Sequence, residues 1–185
     1  MIGELPTSLE VGGVKYPIRS DYRIALLIFQ AYEDPELKQQ EKHMTCIRCL
    51  YEDYTQIPEK DIADALKAAL WFLDGGDMPK SDNHVKTFDW EQDEKMIFSG
   101  VNKVAGFEVR SEEYLHWWTF LGYFSEMGEG LFSLVTNIRS KRAKGKKLEK
   151  WEQDFYREHY SMIEIRRRLS KEEQAEQDFV DSLFE

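Results

Sequence analysis

Two cysteines and one histidine share a short stretch: His43, Cys46 and Cys49. The C-x-x-C spacing invites two chemical readings. A redox pair would sit at a helix start beside a βαβ unit. No such unit flanks these residues, and both cysteines fall inside a helix-patterned segment. A zinc site would need four ligands. His43 makes H-x-x-C-x-x-C, and no fourth partner lies nearby in sequence. The remaining reading is packing: residues three apart share a helix face, and Cys packs as a small apolar group. That reading assigns no metal and no cofactor.

A second group is basic. Arg139, Lys141, Arg142, Lys144, Lys146, Lys147 and Lys150 form a run that stands out against a formal net charge of -10. One reading is a nucleic-acid contact through Arg139, Lys141, Arg142, Lys144, Lys146 and Lys147. Aromatics interleaved with the charges, as single-strand binders use, are missing. The other reading is a helix end rich in cations, as the dipole favours, followed by a solvated turn at Gly145.

Other chemistry is hard to assemble. The four histidines (His43, His84, His116, His159) are scattered. His116 has Glu112 one helical turn before it, which reads as an ordinary helix partner. No G-x-S-x-G, P-loop, H-E-x-x-H or Gly-rich fingerprint occurs. The expectation is a non-enzymatic protein.

These residues sit in a chain of 185, of which 42% are hydrophobic and 14% aromatic, enough for a packed core. Charged residues make up 32%, and mean hydropathy is -0.60 with a pI near 5.0. An acidic balance weighs against general nucleic-acid binding, which rests on neutralising phosphates. It also weighs against anionic membrane surfaces. No apolar run has the length to cross a bilayer, and the first residues carry no signal-peptide pattern. A cytoplasmic location is expected.

The patterning is mainly α, with a multi-helix domain over residues 1–168. Leu9, Val11, Val14, Tyr16 and Ile18 around Gly12-Gly13 read as a β-hairpin over 8–18. Asp21 caps a helix to about Tyr32, with Ile24, Ala25, Leu27, Ile28, Ala31 and Tyr32 on its apolar face. Asp34-Pro35-Glu36 reads as the start of a helix reaching about Tyr54. Pro58 opens another, stopped by Gly75-Gly76. Residues 77–86 read as a polar loop. Asp89 caps a helix ended by Gly106. The central helix is expected over about 111–127, capped by Ser111, because Leu115 to Phe124 holds five aromatic side chains. Trp118 lies mid-stripe and reads as core. Trp117 shares that stripe with Tyr114, Leu121 and Phe124, Phe120 widens it, and Trp117, Phe120 and Tyr123 are candidates for contact with a partner. Ser170 and Glu173 form a capping box for an acidic tail, residues 169–185, that is either docked or mobile. Phe179, Val180, Leu183 and Phe184 give that tail a small apolar face and complete the partner-contact candidates.

Five segments together carry a resemblance. They are Phe88-Asp89-Trp90-Glu91-Gln92-Asp93, Ile97-Phe98, Gly106-Phe107-Glu108-Val109, Tyr114-Leu115-His116-Trp117-Trp118-Thr119-Phe120 and Asn137-Ile138-Arg139. The set resembles the bacteriophage gene-product-fifteen family, small tail-module proteins of long-tailed phages and prophages of Gram-positive bacteria. The Leu-His-Trp-Trp element is the most specific part. The chain departs from the family at Ala105-Gly106-Phe107-Glu108-Val109, where Tyr-Gly-Ile-Asp-Leu is usual, and after Arg168, where no counterpart is found. The resemblance implies virion morphogenesis in the host cytoplasm: a tail assembly chaperone coating the tape-measure protein. Alternatives are a minor structural component of the tail and a helical DNA-binding regulator using residues 139–150. Self-association and another tail protein as partner stay open.

Overall fold

A computed structural model describes residues 3–77 and 85–182. Strands β1 (Ser8–Val11) and β2 (Val14–Pro17) pair antiparallel, with Leu9 opposite Tyr16 and Val11 opposite Val14. Gly12 and Gly13 have φ of 58° and 81°. A two-residue turn needs that left-handed backbone twice, and glycine adopts it without a Cβ clash. Pro17 ends β2, where no ladder N–H is needed. Leu9, Val11 and Tyr16 point inward, and Ile18 continues the chain to a bridge with Tyr51.

Helices follow: α1 (Tyr22–Glu33), α2 (Gln39–Leu50), α3 (Ile62–Leu73), α4 (Glu94–Ala105), α5 (Trp117–Ser125), α6 (Leu131–Ala143), α7 (Lys150–Glu158), α8 (Tyr160–Ile163) and α9 (Lys171–Ser182). The mainly helical fold with its N-terminal hairpin is the one the patterning implies. Asp21 caps α1 by accepting the Arg23 N–H at 2.9 Å. Gly106, at φ 81°, ends α4 in the left-handed cap that glycine favours. The Ser170–Glu173 capping box opens α9, with both reciprocal bonds formed.

Several boundaries differ from the sequence reading. The helix expected from Asp34 starts at Gln39, because Asp34 closes α1 and its carboxylate accepts the Glu36 N–H within a turn. The helix stops at Leu50 because Tyr51 turns extended to bridge Ile18. The central helix starts at Trp117, not near Ser111, and its cap is His116. Ser111 instead closes a 3-10 turn, Val109–Ser111, with its hydroxyl donating to the Glu108 carbonyl. Asp89 caps the turn before α4, and the helix itself begins at Glu94. The polar loop over 77–86 falls mostly outside the described residues.

The main core lies where α1, α2, α3, α4 and α5 meet under the hairpin. Ala65 and Ala69 are buried on α3, which packs against both β1 and α2. At the centre Tyr22 stacks on Phe120 at 4.7 Å and 2° between planes, and Phe120 stacks on Trp117 at 5.8 Å. Trp117 and Phe120 are fully buried, while Trp118 is half-buried against Trp71 and Phe72. Leu27, expected on the apolar face of α1, is 50% exposed. Val135, Ile138 and Ile163 form a second, smaller cluster with Leu134, Leu148, Phe155 and Met162.

Candidate partner-docking site

The tryptophan-rich element ties three segments together. His116 Nδ1 accepts the Trp118 N–H at 3.0 Å, so its ring proton sits on Nε2 and donates to the Pro6 carbonyl at 3.0 Å. Trp117 Nε1 donates to the Leu73 carbonyl at 2.9 Å, and Trp118 Nε1 to the Phe72 carbonyl at 2.8 Å. The Trp117 indole thereby satisfies a carbonyl in the last turn of α3, and the Trp118 indole shares the Phe72 carbonyl with the Gly75 N–H. Asp21 adds a crossing: its other oxygen accepts the Leu115 N–H, while Tyr22 and Trp117 exchange backbone bonds with Leu115 and Ser20. This element is structural, and His116 has no free nitrogen for proton transfer.

The acidic motif does the same for the C-terminal half. Asp93 takes two Arg139 N–H groups at 2.5 and 3.0 Å, with both side chains buried. Arg139 also donates to the carbonyls of Thr87, Met162 and Ile163. Asp89 accepts the backbone N–H groups of Glu91 and Gln92 and the side chains of Lys86 and Arg168. Gln92 bonds the Glu164 carbonyl and the Arg166 N–H. The polar atoms are mutually satisfied, which buried charge requires.

Cys46 is fully buried and Cys49 half-buried, both as free thiols. Burial pushes the Cys46 thiol up to about 12. A thiol held protonated is a poor nucleophile and a poor ligand. Among the described residues no group of three or more His, Cys, Asp or Glu is placed to hold a metal ion. No helix among them is long and apolar enough to cross a membrane.

The residues singled out for binding divide sharply. Trp117 and Phe120 are buried core, which removes them as partner contacts in this conformation. Tyr123 is half-buried and meets Phe107 edge-on at 6.4 Å. Phe179 and Val180 are exposed on α9. Leu183 and Phe184 lie outside the described residues. In the basic run Arg139 is taken by Asp93, Lys141 by Glu152 at 2.5 Å and Arg142 by Glu164. Lys144, Lys146 and Lys147 are exposed. Half of the proposed nucleic-acid contact is therefore already neutralised within the chain.

What sequence reasoning missed is a groove beside α1 and the start of α4, about 370 Å³. Leu26, Leu27, Phe29 and Trp90 line it above the buried Tyr22 and Phe98, with Arg23, Glu33, Glu91, Glu94, Arg110 and Arg168 around them. Apolar anchors inside a ring of mixed charge are the recognition mode for an amphipathic helix. The available signal was α1 itself. Leu26 and Leu27 make it apolar on more sides than one packed face needs. A wider groove, about 860 Å³, runs along β1 and α3 past Lys67, Trp71 and Trp118.

A family model described as "Bacteriophage Gp15 protein" matches residues 1–165. No curated protein and no solved structure matches the chain.

Proposed function

The chain belongs to the bacteriophage gene-product-fifteen family, and from that premise we propose that it is a tail assembly chaperone for the tape-measure protein. The observation that carries the proposal is the groove beside α1 and α4. It offers a solvent-facing Leu27 and half-buried aromatics inside a ring of both charge signs. A tape-measure protein is a long helical chain with apolar stretches that must stay unaggregated until the tail tube forms. A groove of this kind accepts one apolar helix face at a time, through anchors spaced about one helical turn apart. The role needs no reaction, and the saturated polar networks around His116 and Arg139 support a scaffold rather than an enzyme. The acidic surface keeps such a complex soluble.

The test is twofold. The protein co-purified with its tape-measure neighbour is run on gel filtration at moderate salt, and mature particles are analysed by mass spectrometry. A stable complex together with absence from the particle supports the chaperone role. Stoichiometric presence in the particle replaces it with the structural-component role.

A further inference from the structure

Two exposed surfaces belong neither to the core nor to the groove. The first is α9. Its anchors lie at its start: the Ser170–Glu173 box, the Arg167–Glu173 pair, and the Lys171 N–H, which donates to Glu36 at 2.6 Å. No residue of α9 is buried. Phe179 is 65% exposed and Val180 45%. Residues 171–185 hold six acids against one lysine. A single helix of twelve residues is marginal in water without a surface to pack on.

The second surface is the tip between α6 and α7. Lys144, Lys146, Lys147 and Lys150 are exposed there, and no ion pair among the described residues engages them. The cations earlier in the run face Asp93, Glu152 and Glu164, so the uncompensated charge gathers at this tip. Trp151, 57% exposed, follows directly on α7.

The two surfaces match in sign and in kind. One is an acidic helix carrying two apolar side chains. The other is a lysine cluster carrying an indole. Within one chain both stay uncovered. We propose that α9 of one copy docks on the tip around Lys144, Lys147 and Trp151 of a second copy, with Phe179 and Val180 against the indole and the tail carboxylates among the lysines. The contact joins two different patches, so each copy brings one half of it to each neighbour and chains associate head to tail. It is independent of the groove and of the tape-measure reading.

Sedimentation velocity on full-length chains tests this over a range of concentration and salt. The wild type is expected to associate, with affinity falling tenfold or more between about 50 and 500 mM salt as the charges are screened. Two variants divide the contact: Phe179→Ser with Val180→Ser, and Lys144→Glu with Lys146→Glu and Lys147→Glu. All five positions are exposed, so both chains should fold, as circular dichroism would verify. Each variant alone should be monomeric. Mixed, they should form a complex that stops at one to one, because only one intact helix and one intact tip remain. A wild type that stays monomeric throughout overturns the proposal, as does self-association unchanged in either variant. A mixture that stays monomeric overturns it as well.

Discussion

Asp93 and Arg139 meet across 46 residues of sequence in a two-pronged ion pair buried from solvent. The pair sits where the segment before α4, the middle of α6 and the end of α8 meet, because Arg139 also holds the carbonyls of Thr87, Met162 and Ile163. Breaking one partner leaves the other charged and buried. Arg139→Met or Asp93→Asn should cost about 3–5 kcal/mol in urea unfolding. The double change to apolar residues should cost less than the two singles summed, since it leaves no orphaned charge.

The two neighbouring tryptophans should separate in the same assay. Trp117 is fully buried and stacks on Phe120, so Trp117→Ala should cost about 3–5 kcal/mol and lower the thermal midpoint by many degrees. Trp118 is half-buried, and Trp118→Ala should cost clearly less. Equal losses would mean that Trp118 is as enclosed as its neighbour.

Acid should weaken the fold partly through Asp89. Burial alone would raise its carboxyl, but the Gln92 N–H, Lys86 and Arg168 outweigh burial and hold it well below the usual carboxylate range. In the unfolded chain it titrates near 3.9. Its contribution is therefore complete above about pH 5, starts to fall near pH 4 and is lost as pH drops toward the depressed folded value. Asp89→Asn should be less stable at neutral pH and lose less between pH 5 and pH 3. An unchanged acid slope in chemical denaturation would assign the loss to other carboxylates.

Much of this architecture could be read before any coordinates. Gly12-Gly13, the Asp21 cap, the Gly106 stop and the Ser170–Glu173 box are local signals that act within a few residues, and they hold. The start of α5 was hidden because a histidine caps it. Ser111 is the conventional cap type, but its hydroxyl turns back to Glu108. Periodicity placed Trp117 and Trp118 on the same helix without telling which faces inward, since that depends on where the end of α3 lies. The Asp93–Arg139 pair was out of reach for the same reason. Each residue appeared in a recognisable motif, but nothing in either motif names the other. The groove was missed because Leu27 fits a core stripe as well as a surface one.

The groove makes a separate prediction. Leu27→Asp changes an exposed residue, so stability should stay within about 0.5 kcal/mol of wild type. Affinity for a tape-measure fragment should fall at least tenfold, because a charge would sit where an apolar anchor is expected. A titration followed by tryptophan fluorescence reads both, through Trp90 in the groove wall.

The most direct measurement is the soluble yield of the tape-measure protein in cells that express it alone, with this chain, or with the Leu27→Asp chain. The chaperone account predicts aggregate when it is expressed alone, soluble complex with the wild type, and a yield near the unassisted level with Leu27→Asp. Equal solubility in all three would contradict it.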